Sequence, residues 1–439
     1  MASGHPKLQE LAKEITDKVF RPAYCNYAVL AHLGNTDGWM KAMLTLCNPG
    51  EGVLVGVWTY PSALACMLPH NIKPVLVAMD GEGIRADALR DLLLGWDAEA
   101  RRMPRPHVMY TIPVGQNPTG ATESAARKKD IYDVCVEFDV IIVEDDPYYF
   151  LQEGSYRPKE SRDSMRRGQL TTAEFVEELV PSYLRFDYQG RVVRLESFSK
   201  TLAPGCRLGW FTCNPLFAER LERQAETSTY APCGFTQALV ITTLSKWGLD
   251  GYLRWLQGLQ NQYIVRRDYL VDCLADEFDL RMGTAPCDVD CFSGCDVYTA
   301  YLKPGHSIMT EKQRLTDEPL FSFVPPTSGM YVWLKLHFER HPKHGTMDSN
   351  DLELALWKEL AEAGVLFGPG QLFAADVAVP YLPTDRISSV VGSATAITTV
   401  KEAEDEGHFR ISFSDAEFDD LKKAISIFSR VIVNFFRTS

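Results

Sequence analysis

Ser197–Trp210 of the 439-residue chain reads SFSKTLAPGCRLGW. Lys200 closes an apolar run here, with hydroxyls nearby at Ser197 and Ser199 and an arginine seven residues on, at Arg207. An amine in that setting can form an imine with an aldehyde. The hydroxyls and the fork of arginine donors can grip a phosphate. Alone, the string also reads as a surface lysine in a serine-rich turn. A second string, VGQNPTG (Val114–Gly120), puts Asn117 before Pro118. An asparagine there could donate to a phenolic oxygen, or could only make a turn. The third, VIIVEDDPYYF (Val140–Phe150), carries Asp145 just past four apolar residues. A carboxylate in that place is a helix cap before Pro147, or pairs with a buried cation such as a protonated pyridine nitrogen. Tyr148 could reach the oxygen of the same ring.

These strings need elements to hold them. Val53–Trp58, Pro74–Met79, His107–Pro113, Val140–Val143 and Val192–Leu195 are short apolar runs. They alternate with helix-like segments such as Ser62–Leu68 and Glu123–Phe138. The pattern predicts an α/β fold, with a mainly parallel central sheet covered by helices on both faces. Ligands in such folds sit at the carboxyl ends of strands, where all three strings fall. A polar insertion is expected at about 152–183, partly helical from Thr172 to Val180. A long helix is expected at Gly251–Glu277. Beyond it come a strand in Thr327–Leu336, a helix at Ser349–Ala363, a strand in Phe409–Ser414 and an amphipathic helix at Ala416–Phe435. The division predicted is a large domain, 1–270, and a smaller C-terminal α+β domain, 271–439.

Asn117, Asp145 with Tyr148, Ser197/Ser199 with Lys200, and Arg207 follow one another at suitable intervals, 28 residues from Asn117 to Asp145 and 55 more to Lys200. In that order and spacing the chain resembles the fold-type I pyridoxal-phosphate enzymes. It is most similar to class I/II aminotransferases of the fungal aromatic-amino-acid and 2-aminoadipate type. The resemblance adds three matches. GNTDGW (Gly34–Trp39) is similar to the family's phosphate-binding turn, which implies that Asn35, Thr36 and Asp37 hold phosphate at a helix N-terminus. Tyr60 corresponds to the aromatic that stacks on the cofactor ring. Arg410, in HFRISFS, corresponds to the arginine that clamps the substrate carboxylate.

The resemblance also implies roles. Lys200 holds pyridoxal 5′-phosphate and serves as general base. Asp145 keeps the ring nitrogen protonated, and Asn117 and Tyr148 tune the ring oxygen. The reaction implied is transamination between an aromatic or 2-aminoadipate-type amino acid and a 2-oxo acid such as 2-oxoglutarate, in amino-acid or fungal secondary metabolism. A homodimer is implied because the family's sites form between subunits. Relative to that family the chain is N-terminally shortened. The segment before Gly34 lacks an arm that closes over substrate and a tyrosine that reaches the neighbouring subunit's cofactor. Altered closure, cofactor affinity and dimer stability are therefore expected. Other chemistry with the same cofactor (decarboxylase or lyase) and a catalytically impaired paralogue remain alternatives.

Composition narrows the rest. The net charge of -13 and a pI of about 5.3 argue against a nucleic-acid or anionic-membrane partner. Arg101/Arg102 and Arg166/Arg167 read as solvated charges. With 33 residues before Gly34 and no helix-turn-helix pattern, a DNA-binding regulator is disfavoured. The 11 cysteines suggest reduced thiols and a cytoplasmic address. Cys287, Cys291 and Cys295 fall in a loop-like stretch without C-x-x-C pairs, so no metal site is expected. No apolar run reaches the length of a membrane span.

Overall fold

The computed structural model describes residues 2–162, 170–285, 291–303, 318–375 and 406–437. Arg166, Arg167 and Cys287 lie outside them.

Seven strands form the larger sheet: β1 (Ala28–His32), β2 (Gly52–Gly56), β3 (Lys73–Val77), β4 (Val108–Thr111), β5 (Ile141–Asp145), β6 (Val192–Ser197) and β7 (Gly209–Cys213). Their order is β1-β7-β6-β5-β4-β2-β3. The pairs from β3 to β6 are parallel, while β7 runs antiparallel to both neighbours. Every residue of β2, β4 and β6 is buried; β2 accordingly reads as an apolar run, while β6 also buries Arg194, Glu196 and Ser197. The edge strand β1 and the reversed β7 were not anticipated. Five-residue AVLAH and GWFTC carry too little pattern to stand out beside the glycine- and proline-bearing stretches next to them.

Helices cover both faces. Among them are α1 (Pro6–Ile15), α2 (Asn35–Leu46), α3 (Pro61–Met67) and α4 (Ala125–Glu137). Their starts follow ordinary capping rules. Ser124 accepts from the Arg127 amide, and Pro61 occupies the first turn of α3. In the polar insertion, α5 (Thr172–Glu178) opens with a Thr171/Glu174 capping box.

The long helix α6 runs Gly234–Glu277 and so begins well before the expected Gly251. Gly248 (φ 65°, ψ 170°) breaks the helical path inside it. Only glycine takes that backbone conformation cheaply, so two helices join end to end there. A second sheet follows: β8 (Phe278–Thr284), β9 (Asp296–Leu302), β10 (Phe321–Phe323), β11 (Tyr331–His337), β12 (Gly368–Pro369) and β13 (Glu406–Ser412), in the order β8-β9-β10-β11-β13-β12. It is antiparallel throughout. Helices α7 (Ser349–Glu362) and α8 (Phe418–Phe435) pack on it. Phe428 of α8 contacts the rings of Phe278, Phe321 and Phe367, a burial worth about 1.5–3 kcal/mol. Among the described residues no helix is long and apolar enough to cross a membrane.

Candidate active site

Strand register gathers the three sequence strings. Asp145 ends β5 and Ser197 ends β6, which are parallel neighbours. Ser197 pairs with Gly209 of β7, and Gly209 pairs with His32 of β1. Two antiparallel steps bring β1 back parallel to β6, so the turn after His32 emerges beside Ser197. The loop carrying Asn117 follows β4 at the same end.

The turn after β1 and the Ser–Lys loop form one basic pocket. Gly34 has φ 99°, and a Cβ on it would stand 2.5 Å from Arg207 Nη2. The turn therefore needs glycine for its conformation and for the closeness of the guanidinium. The Gly34 amide donates to His32 Nδ1 at 3.1 Å. That imidazole is buried, and burial holds it down to about 3, so it stays a neutral acceptor. Helix α2 starts without a side-chain cap, which leaves first-turn amides for an anion. Ser199 Oγ accepts from Ser197 Oγ (2.9 Å) and from Arg207 Nη1 (3.0 Å). Its own proton is then free to be donated outward.

The three residues expected to hold phosphate diverge in their side chains. Thr36 is exposed at the helix start. Asn35 Nδ2 instead donates to Asp145 Oδ1 at 2.7 Å. Asp37 accepts from the Leu33 amide (3.0 Å) and from the buried Lys41 amine (2.6 Å).

Asp145 is 4% exposed. Besides Asn35 it accepts from Tyr110 Oη at 2.5 Å. Burial outweighs these bonds and pushes its carboxyl up. Tyr148, also buried, stands three residues on, and its hydroxyl lies 3.4 Å from that of Tyr331. Tyr60 caps the start of α3 and packs half-buried against the core. Asn117 accepts from Arg410 Nη1 at 2.7 Å, which leaves its amide NH2 free to donate elsewhere. Arg410 lies on β13, so this bond joins the loop after β4 to the second sheet. Lys200 is partly buried, and among the described residues its amine has no hydrogen-bonding or ionic partner. Burial, and then the Arg410 and Arg207 charges, lower its pKa. A neutral amine is the form that attacks a carbonyl.

Three contributors escaped the sequence reading. Tyr110 lay within the His107–Pro113 run, where its hydroxyl acquires a partner only once β4 is set beside β5. Tyr331 and Phe373 flank the Arg410 guanidinium, at 4.1 and 4.6 Å from ring centroid to Cζ. Phe373 had no local signal. Tyr331 sat in the expected Thr327–Leu336 strand, but only its position opposite β13 reveals the contact.

Residues 2–425 match the family described as aminotransferase class I and II. The chain belongs to this family. It is 33% identical over 437 residues to an aromatic amino acid aminotransferase of Schizosaccharomyces pombe, covering 99% of this chain and 78% of the relative. It is 30% identical to the L-tyrosine:2-oxoglutarate aminotransferase of Tapinella panuoides, with the same two coverages. Among solved structures, aminotransferase Aro8 of Candida albicans superposes with a TM-score of 0.80 at 32% identity, over 100% of this chain and 79% of that one. The fold is accordingly that of fold-type I aminotransferases.

This aminotransferase is a pyridoxal-phosphate-dependent enzyme. The residues present fit the cofactor on two counts. The cradle between Gly34 and Arg207 is one that a Cβ would fill. Asp145 is a buried carboxyl whose hydrogen-bond donors, Tyr110 and Asn35, are both neutral. That arrangement is costly until a cation arrives, and a pyridinium nitrogen is such a cation.

Proposed function

We propose that this aminotransferase moves the amino group of an aromatic or 2-aminoadipate-type amino acid to 2-oxoglutarate, acting as a cytoplasmic homodimer. The observation that carries the reaction is the Lys200 amine, which has no hydrogen-bonding or ionic partner among the described residues and whose pKa is lowered by burial and then by the Arg410 and Arg207 charges. The substrate class is supported by the names of the relatives above, together with a bovine kynurenine/alpha-aminoadipate aminotransferase, 31% identical over 280 residues.

Bound pyridoxal phosphate supplies the electron sink that receives charge from the substrate Cα. Ser199, Arg207 and the first-turn amides of α2 hold its phosphate, with Ser197 orienting Ser199. Thr36 borders that pocket; Asn35 and Asp37 contribute through their backbone and by bracing Asp145 and Lys41. Tyr60 covers the ring. Asp145 keeps a proton on the ring nitrogen, and Tyr148 and the amide of Asn117 donate to the ring oxygen. Arg410 binds the substrate α-carboxylate. Its Nε is buried with no hydrogen-bond partner among the described residues, and a carboxylate oxygen satisfies such a donor. Held there, the substrate would be oriented with its Cα toward the Lys200 amine. With the cofactor bound, the Lys200 amine would act as general base toward the proton on the substrate Cα.

Two finer points have support of their own. Tyr230, Phe235 and Leu239 are 58%, 85% and 70% exposed, with Phe235 and Leu239 one turn apart on α6. Such an apolar patch suits a second copy of the chain. Cys47, Cys135, Cys213 and Cys273 are buried free thiols, in keeping with a reducing compartment.

The test is an absorbance scan with pyridoxal phosphate, before and after adding tyrosine, beside the Lys200→Ala variant. The expected result is a lysine-dependent band in the wild type that converts to the band of the aminated cofactor on adding tyrosine. 2-Oxoglutarate should then restore it. Identical spectra for wild type and variant would overturn the reading.

A further inference from the structure

We propose that Tyr331 is a positioning residue whose ring presents the Arg410 guanidinium to the substrate carboxylate; this rests on the function proposed above. The argument begins with register. Arg410 on β13 pairs with Trp333 of β11, and Tyr331 lies two residues before Trp333. Residues two apart share a face of the sheet, so Tyr331 is the diagonal neighbour of Arg410. The guanidinium carbon sits 4.1 Å from the Tyr331 ring centroid and 4.6 Å from that of Phe373. Two aromatic faces therefore grip one cation.

This contact meets a need. Among the described residues the Arg410 side chain has no carboxylate partner, and it donates a hydrogen bond to the neutral Asn117. A cation without an anion is held where it is by ring faces, which attract it without occupying its in-plane donors. A carboxylate on this chain would hold Arg410 more tightly, but would compete with the substrate. Aromatic support leaves the donor edge free. Tyr331 is 8% exposed, so solvent does little to weaken the attraction. Its far end is pinned as well, the ring packing edge-on against Tyr148 at 5.9 Å with the two hydroxyls 3.4 Å apart. At that length the hydroxyl contact is weak. The ring, rather than the hydroxyl, carries the function.

The test separates ring from hydroxyl by comparing Tyr331→Phe with Tyr331→Leu and Tyr331→Met in the cofactor-loaded enzyme. The probe is 3-phenylpropionate, a carboxylate with no amino group to react, titrated by its effect on the Lys200-dependent absorbance. The Phe variant should bind it within about twofold of wild type, and the Leu and Met variants about tenfold more weakly. KM for tyrosine should rise in parallel in Leu and Met while kcat changes little, and 3-phenylpropanol, which lacks the carboxylate, should bind all four proteins alike. Met has about the volume of Leu but a flexible, unbranched side chain that adapts to the space the ring leaves, so it serves if the Leu variant does not fold. Wild-type affinity for 3-phenylpropionate in Leu or Met overturns the proposal, as does a Phe variant as weak as they are. A wild type with no Lys200-dependent absorbance overturns the functional reading itself, and this inference with it.

Discussion

Glu144, Asp145 and Asp146 are consecutive buried carboxyl groups that face two different environments. On one side, Asp145 meets only the neutral donors Tyr110 and Asn35. On the other, Glu144 and Asp146 each lie 3.0 Å from Arg194 Nη1, and Glu196 lies 2.8 Å from its Nη2. The Arg194 guanidinium is fully buried and also stacks over the rings of Phe20 and Tyr149. The two-residue period of the strand produces this division. One face carries its own cation. The other presents a carboxyl that lacks a cation until a ligand brings one. Stability and chemistry are thus separated by a single peptide unit, and substitutions on the two faces should fail in different ways.

The largest effect is expected at Asp145. Asp145→Asn keeps the shape and removes the charge that would hold a proton on the ring nitrogen. Its kcat should fall on the order of 10²–10³-fold, while its urea midpoint stays close to wild type. A large loss of stability with unchanged turnover would break the comparison. Arg194→Met tests the opposite face. It strands three buried carboxyl groups, and removing one partner of such a cluster costs about 3–5 kcal/mol. Urea unfolding should show that loss, while the folded fraction keeps nearly wild-type kcat. Equal losses in both assays would mean that the two faces are not independent.

Tyr110→Phe sharpens the picture on the site face. It removes one donor to Asp145 without touching the Arg194 cluster. A hydrogen bond to a charged acceptor is worth about 1.5–3 kcal/mol, so kcat should drop at least about tenfold. Asn35 remains to hold the carboxylate, which keeps the loss below that of Asp145→Asn. If turnover is unchanged, Tyr110 is only a packing residue.

The same division explains what could be read before the structure. Lys200, Asp145 and Asn117 announce themselves because each closes or follows an apolar strand, and a polar group there needs a reason. The parallel core was legible because strands buried on both faces are nearly all apolar. Arg194 was passed over within the run Val192–Leu195, because its carboxylates sit on its own strand, on β5 and just past the end of β5. Only the register that sets Glu144 opposite Arg194 brings them together. Tyr110, Tyr331 and Phe373 were hidden for the same reason: their partners lie across strand pairings or between the two sheets. The helical path before Gly251 was obscured by Gly248, a residue that normally ends a helix and here links two.

The smallest expected effect concerns Glu123, a further carboxyl on the structural side of the sheet. It is buried, and accepts from Tyr183 Oη at 2.6 Å and Thr111 Oγ1 at 3.2 Å. Burial pushes it up from 4.5 to about 7, and nearby Glu144 adds to the rise against the pull of Lys128. The folded protein therefore binds the Glu123 proton more tightly than the unfolded chain. The stabilisation is fully present below about pH 4.5 and is lost as pH rises to about 7. Between pH 6 and pH 8 that loss should be about 1 kcal/mol. Glu123→Gln cannot titrate, so its stability should fall less than the wild type's over this interval, whatever its absolute value at pH 6. Urea unfolding at both pH values measures the difference. Equal slopes in the two proteins would show that Glu123 stays ionised in the fold, and that Lys128 and the two hydroxyls outweigh its burial.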